Sequence, residues 1–145
     1  MGYEQFEGLR RRSFRFALDI TQLCRALPAR WEAVRLRDQM FRAATSVAAN
    51  YRAASRGRSP AEFIAKIGIV VEEADECEFW LLFAKAAELQ SGPELARLTK
   101  EAGELLAIFG ASLNTAKKNR KQANQEKRRK KKQKPPIDGA DPSAG

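Results

Sequence analysis

Apolar residues in this chain recur at steps of three and four, and no stretch alternates apolar with polar as a half-buried strand would. That one feature confines the fold to helices packed on helices. Phe16, Ile20, Leu23, Cys24 and Leu27 form a first stripe, with Ser13 as its expected N-cap and Pro28 as its stop. Leu36, Met40, Ala44, Val47 and Tyr51 form a second, on a helix expected from near Val34 to about Arg56. Gly57 is expected to close that helix in the left-handed conformation. Ser59-Pro60-Ala61-Glu62 reads as a capping box with proline at the first helical position. It starts a third stripe of Phe63, Ile67, Val70, Ala74, Cys77, Leu81 and Ala84 that reaches about Leu89. Ser91-Gly92-Pro93-Glu94 ends the third helix and starts a fourth, whose seam runs from Leu95 through Leu98, Ala102, Leu105, Phe109 and Leu113 to Ala116.

Four helices of this length with short connections imply an all-α protein, an antiparallel up-down four-helix bundle with a basic C-terminal tail. The expected organisation is an N-terminal segment at 1–12, the bundle at 13–116, and a basic, largely disordered tail at 117–145, into which the fourth helix could extend. The third helix carries more apolar residues than one stripe needs. Ile64, Ile69, Val71, Phe79, Trp80, Leu82 and Phe83 lie beside it, which points to self-association.

Charge separates the two parts. Of 27 Lys+Arg and 18 Asp+Glu, residues 117–145 hold 11 and 3, which leaves 16 and 15 for the first 116 positions. The tail is therefore +8 and the bundle +1. Within the bundle, residues 29–58 carry seven arginines against two acids, and residues 59–92 carry seven acids against two lysines. Opposed neighbours of this kind can pair within the chain or between subunits, or stay as two solvated faces.

The tail's Lys117, Lys118, Arg120 and Lys121, and its run Lys127, Arg128, Arg129, Lys130, Lys131 and Lys132, are candidate phosphate contacts, with Arg52, Arg56 and Arg58 as a second basic patch near the turn between the second and third helices. No aromatic side chain is interleaved with the tail's charges, so base stacking and sequence readout are not expected. RNA is the favoured partner; a tail that only solubilises the protein is the alternative. The tail also lacks an apolar anchor, so a membrane is not an expected partner.

No histidine is present, and there is no glycine-rich phosphate loop, GxSxG or Cys-x-x-Cys pattern, so catalysis is not expected. Glu72, Glu73, Asp75 and Glu76 are close in sequence, but a helix puts only some of them on one face, a poor cage for a hard cation. Cys24 and Cys77 fall on apolar faces and read as buried thiols, consistent with a cytoplasmic setting, with a disulfide or metal role as the lesser alternative. No cofactor is expected. Gln39, Arg42, Ser46 and Asn50 form a polar line beside the second stripe. It can bridge helices, with Glu73 or Glu76 as partners for Arg42, or bind a ligand; the bridge is favoured.

Leu36-Arg37-Asp38-Gln39, Arg42-Ala43-Ala44-Thr45-Ser46-Val47-Ala48-Ala49-Asn50, Arg56 and Glu62-Phe63 together resemble the 23S ribosomal-RNA intervening-sequence protein family. Asn50-Tyr51-Arg52-Ala53-Ala54, Glu62-Phe63-Ile64-Ala65-Lys66 and Glu72-Glu73-Ala74-Asp75-Glu76 are similar to one common branch of it. The likeness spans about residues 10–118. It implies an up-down four-helix bundle that assembles as a ring-shaped homopentamer and has no established enzymatic activity. Some members of the family are encoded within intervening sequences of ribosomal RNA genes. Distant relatives serve diversity-generating retroelements beside a reverse transcriptase and RNA, so an accessory role for such a partner protein is the second implied function. The lysine-rich tail lies outside the shared pattern.

Overall fold

The computed structural model describes residues 2–136, which form four helices: α1 (Tyr3–Arg25), α2 (Trp31–Ser55), α3 (Pro60–Ala86) and α4 (Pro93–Gln133). No strand occurs among the described residues. Around the bundle α1 packs on α2, α2 on α3, α3 on α4 and α4 on α1. That order of neighbours is consistent with the up-down arrangement, in which short loops keep successive helices adjacent. The expected stripes meet in one core. Ile20, Met40, Val47, Ile67, Leu81, Leu98 and Leu105 have at most traces of exposure, and Tyr51 stacks obliquely on Phe109 with ring centroids 5.0 Å apart.

The start of α3 follows its local chemistry. Ser59 is extended, and its hydroxyl accepts from the Glu62 backbone N–H at 3.1 Å. The Glu62 carboxylate reaches back to the N–H of Arg58 at 2.6 Å, one residue before the position a capping box would serve. Pro60 occupies the first turn, where its missing N–H costs nothing.

Helix ends elsewhere differ from the sequence expectation, each for an identifiable reason. Ser13 is not an N-cap: it is fully buried inside α1, and its hydroxyl donates to the carbonyl of Arg10 at 3.1 Å. Helix α1 starts eleven residues earlier because Leu9 joins the core and Phe6 packs edge-on against Phe63 at 6.1 Å. Residues 3–12 thus belong to the bundle and are not a separate segment. Helix α2 begins at Trp31 rather than Val34, with the extended backbone of Arg30 as its N-cap and no side-chain cap.

The left-handed closure expected at Gly57 is absent. The residue with positive φ after a helix C-terminus is Glu88, at 56°, just beyond α3, where the Leu89 N–H returns to the carbonyl of Ala84. Gly57 instead serves a close approach: a Cβ there would lie 3.1 Å from the Ala54 carbonyl oxygen and 3.4 Å from the Phe63 nitrogen.

The largest departure is in the tail. Residues 117–133 are helical and exposed, so the expectation of disorder is corrected for them, while 137–145 lie outside the described residues. Two effects carry α4 past its last buried side chain, Phe109. The packed stem supplies the nucleus, so each added residue costs only propagation. Lysine, arginine, glutamine and alanine are also good helix formers, and Lys130, Lys131 and Lys132 sit in the last turn, where cations favour the helix dipole. Pro135 then bars continuation.

Candidate nucleic-acid interface and polar seam

Beyond Ala116, α4 runs for 17 residues with nothing among the described residues packed on it, a rod of about 26 Å at 1.5 Å per residue. Ten cations sit on that rod: Lys117, Lys118, Arg120, Lys121, Lys127, Arg128, Arg129, Lys130, Lys131 and Lys132, with Glu126 as its one acid. At 100° per residue the six consecutive cations from Lys127 to Lys132 encircle the helix. Every azimuth therefore presents positive charge.

The root of this rod lies at the same end of the bundle as the α2–α3 turn. Ala111, Ser112, Thr115, Ala116 and Asn119 border one cleft with Phe6 and Phe63, and Phe63 in turn packs beside Gly57. Arg56 and Arg58 flank that glycine and are exposed. Arg52 and Arg56 line a groove between α1 and α2, together with Arg10, Arg11 and Arg15 from α1. Arg58 has a different post at the turn, where its backbone is tied to Glu62. The three arginines named with the tail thus divide between a groove and a turn, but all lie toward one end.

The polar line on α2 divides as well. Arg42 bridges to α3, with Nη2 at 2.8 Å from Glu76 Oε1 and Nη1 at 3.6 Å from Glu73 Oε1, and its Nη2 also donates to Gln39 Oε1 at 3.3 Å. Trp80 Nε1 donates to the same Glu76 oxygen at 3.2 Å. Ser46 and Asn50 do not reach across. Asn50 Nδ2 donates to the Ser46 hydroxyl at 2.9 Å and to its carbonyl at 3.0 Å, so this half of the line stays within α2. Glu73 is the strained member. Its Oε2 is buried with no hydrogen-bond partner among the described residues, and loss of solvent raises its pKa above the ordinary carboxylate value against the opposing pull of Arg42, while Glu76 and Glu72 add to the rise.

Glu73 and Glu76 are thus committed to Arg42, and among the described residues no cluster of acids and cysteines has metal-ligand geometry. The two thiols are buried and free. Desolvation pushes Cys24 up to about 11, and Cys77, deeper still, higher. No helix among the described residues is long and apolar enough to cross a membrane.

Sequence reasoning missed two further polar clamps and one apolar surface. Arg12 joins α1 to α4 through Glu101, at 2.8 Å from Nε and 2.5 Å from Nη2, and through Glu104 at 2.8 Å. Arg97 of α4 reaches Asp19 of α1 at 3.0 Å, and Arg15 approaches the same nearly buried carboxylate at 3.2 Å. Both clamps link residues about eighty to ninety positions apart, which no spacing rule signals. The missed surface is the α1–α2 groove, of about 1060 Å³, whose apolar part is made by Phe14, Leu18 and Phe41. Phe14 and Leu18 stand four apart off the core stripe of α1, a pattern visible in the sequence.

No curated protein matches this chain in sequence. Among solved structures it resembles a protein of unknown function from the S23 ribosomal protein family of Bacteroides thetaiotaomicron. The two share 26% identity with a TM-score of 0.69, over 75% of this chain and 97% of that one. The family model for the 23S rRNA-intervening sequence protein matches residues 9–111, the core from the first buried leucine of α1 to the last buried turn of α4. By that match across most of its length, the chain belongs to the 23S rRNA-intervening sequence protein family.

Proposed function

We propose that this protein is a non-enzymatic, cytoplasmic homo-oligomer, a ring-shaped pentamer by family analogy, that binds RNA through its basic surface and α4 extension. The observation that carries the reading is the rod of ten exposed cations projecting from a bundle whose own charge is nearly balanced. Such a rod offers phosphate contacts at every azimuth and no means of reading bases, so binding is electrostatic and largely indifferent to sequence. Several copies in one ring would present several rods together, and each bound rod raises the local concentration of RNA for the next.

The test is a titration of RNA and DNA against the full chain and against a version ending at Ala116, which retains every buried residue. The full chain should bind RNA, and the shortened one should lose most of that affinity. Equal affinity for the two would remove the extension from the reading and redirect it to Arg52, Arg56 and Arg58.

A second reading is a scaffold for a partner protein such as a reverse transcriptase. The 80% exposed indole of Trp31, at the start of α2, favours it, because RNA backbone has no use for it and it has no place in the bundle core. A partner captured by the folded core after nuclease treatment would support this reading over the first.

A further inference from the structure

Two apolar surfaces of this chain face away from its own core, one between α1 and α2 and the other on α3. One is the α1–α2 groove, where Phe14 is 62% and Phe41 46% exposed. The other is a ridge on α3, where Phe79 is 55%, Leu82 52% and Phe83 44% exposed. Helices α1 and α3 are not packed on one another, so the ridge cannot reach the groove of its own chain.

The surfaces are also opposite in charge. Arg11, Arg52 and Arg56 border the groove, and Glu72 and Asp75 stand on the ridge. None of the five has an ion-pair partner among the described residues. On both surfaces the charge lies at a fixed distance from the aromatic end. Phe41 and Arg52 are eleven residues apart on α2, and Phe83 and Glu72 are eleven apart on α3, about 16 Å along the axis in each case.

We infer that the α3 ridge of one copy docks in the α1–α2 groove of the next. Phe79 and Phe83 lie against Phe14, Leu18 and Phe41, and Glu72 lies beside Arg52. Matching both ends fixes the direction: the incoming α3 runs antiparallel to the α2 it covers and parallel to α1. The occupant is a second copy of this chain because the complement to the groove, in apolar character, spacing and sign, is carried by the chain itself. A nucleic acid in the groove would satisfy the arginines but leave the phenylalanines against phosphate and sugar.

The contact joins two different patches, so it is head-to-tail, and each copy keeps one free groove and one free ridge until the assembly closes. This inference rests on the self-association proposed above and specifies which faces perform it.

The test uses the full chain with Phe41→Asp, which spoils the groove, and with Phe83→Asp, which spoils the ridge, and reads mass by light scattering. Both positions are half exposed, so helix content should be unchanged. The natural chain should assemble, and each variant alone should stay near the 16.2 kDa of one chain. Mixed in equal amounts, the variants should form a 1:1 pair of twice that mass and nothing larger, because one good groove meets one good ridge and no other joint is available.

Should either variant lose helicity, Arg52→Glu and Glu72→Arg replace them. Each should weaken assembly about tenfold, and the two together in one chain should restore it. An assembly that survives these substitutions, or a mixture of spoiled-groove and spoiled-ridge chains that stays monomeric, overturns this interface and leaves self-association standing. A natural chain that is itself monomeric overturns both.

Discussion

Removing the α4 extension should change how RNA binding responds to salt, and the rod's geometry sets the size of the change. Ten cations spread round a 26 Å helix cannot all face one strand; about half can, so about five phosphates would be neutralised per extension. For a single strand the slope of log K against log salt is about −0.7 per phosphate, or about −3.5 for one rod. Raising monovalent salt from 50 to 200 mM should then weaken binding about a hundredfold per engaged rod, and more if a ring engages several. Fluorescence anisotropy of a labelled single-stranded RNA, repeated at four or five salt concentrations, measures the slope directly. The chain ending at Ala116 should give a much shallower line through much weaker constants. A steep slope that survives the truncation would place the phosphate contacts on the bundle. A shallow slope in the full chain would mean that its cations are not what holds the RNA.

Three other outcomes follow from the interior and the helix ends. Glu73→Gln should stabilise the fold by about 1 kcal/mol at neutral pH, because an unsatisfied buried carboxylate oxygen costs more than the long, partly exposed contact with Arg42 returns. Burial raises the folded pKa of Glu73, so its penalty is absent in acid and grows as pH rises from the usual carboxylate range through the raised value. The natural chain should therefore lose stability across that window relative to the Gln variant in urea melts, and a variant less stable at neutral pH would refute the assignment. Cys24 and Cys77 should resist a thiol reagent at pH 8 in the folded protein and react fully in denaturant, since both thiols are buried and held protonated there; labelling of either at the rate of a free thiol would contradict the packing. Glu88→Gly should raise stability by about 0.5–1 kcal/mol, read from the urea midpoint, because a glycine adopts φ of 56° without the Cβ clash that glutamate bears there.

Much of the bundle was legible because its information is periodic. Met40, Val47, Ile67, Leu81, Leu98 and Leu105 were placed on core stripes by spacing alone, and all are buried. Local cues set some boundaries, as Ser59-Pro60 did for α3 and Gly92-Pro93 for α4, but two others failed. Ser13 has the chemistry of a cap, but Leu9 and Phe6 had partners across the bundle that outweighed it. Gly57 has the freedom for a left-handed turn, but its value lies in letting Phe63 come close. The extension was expected to be disordered because its charges repel and bury nothing. Those arguments apply to an isolated segment, and here a packed stem precedes it.

Of the polar line, the Arg42 bridge to Glu73 and Glu76 was legible because all three sit on facing stripes. That Asn50 would turn back to Ser46 was not, since a residue four positions away is always within reach in a helix. The α1–α4 clamps through Arg12 and Arg97 required the packed structure.

The rod and the α2–α3 turn emerge at one end of the molecule, and this gives the protein a polarity that its nearly neutral bundle lacks. Copies arranged side by side about an axis along the bundle would all point their rods the same way. One face of such a body would be a brush of positive charge, and the opposite face, where the α1–α2 loop lies, would not. A polyanion would meet an object with a front and a back. It could be gripped on one side while the walls and the far face stayed open to something else.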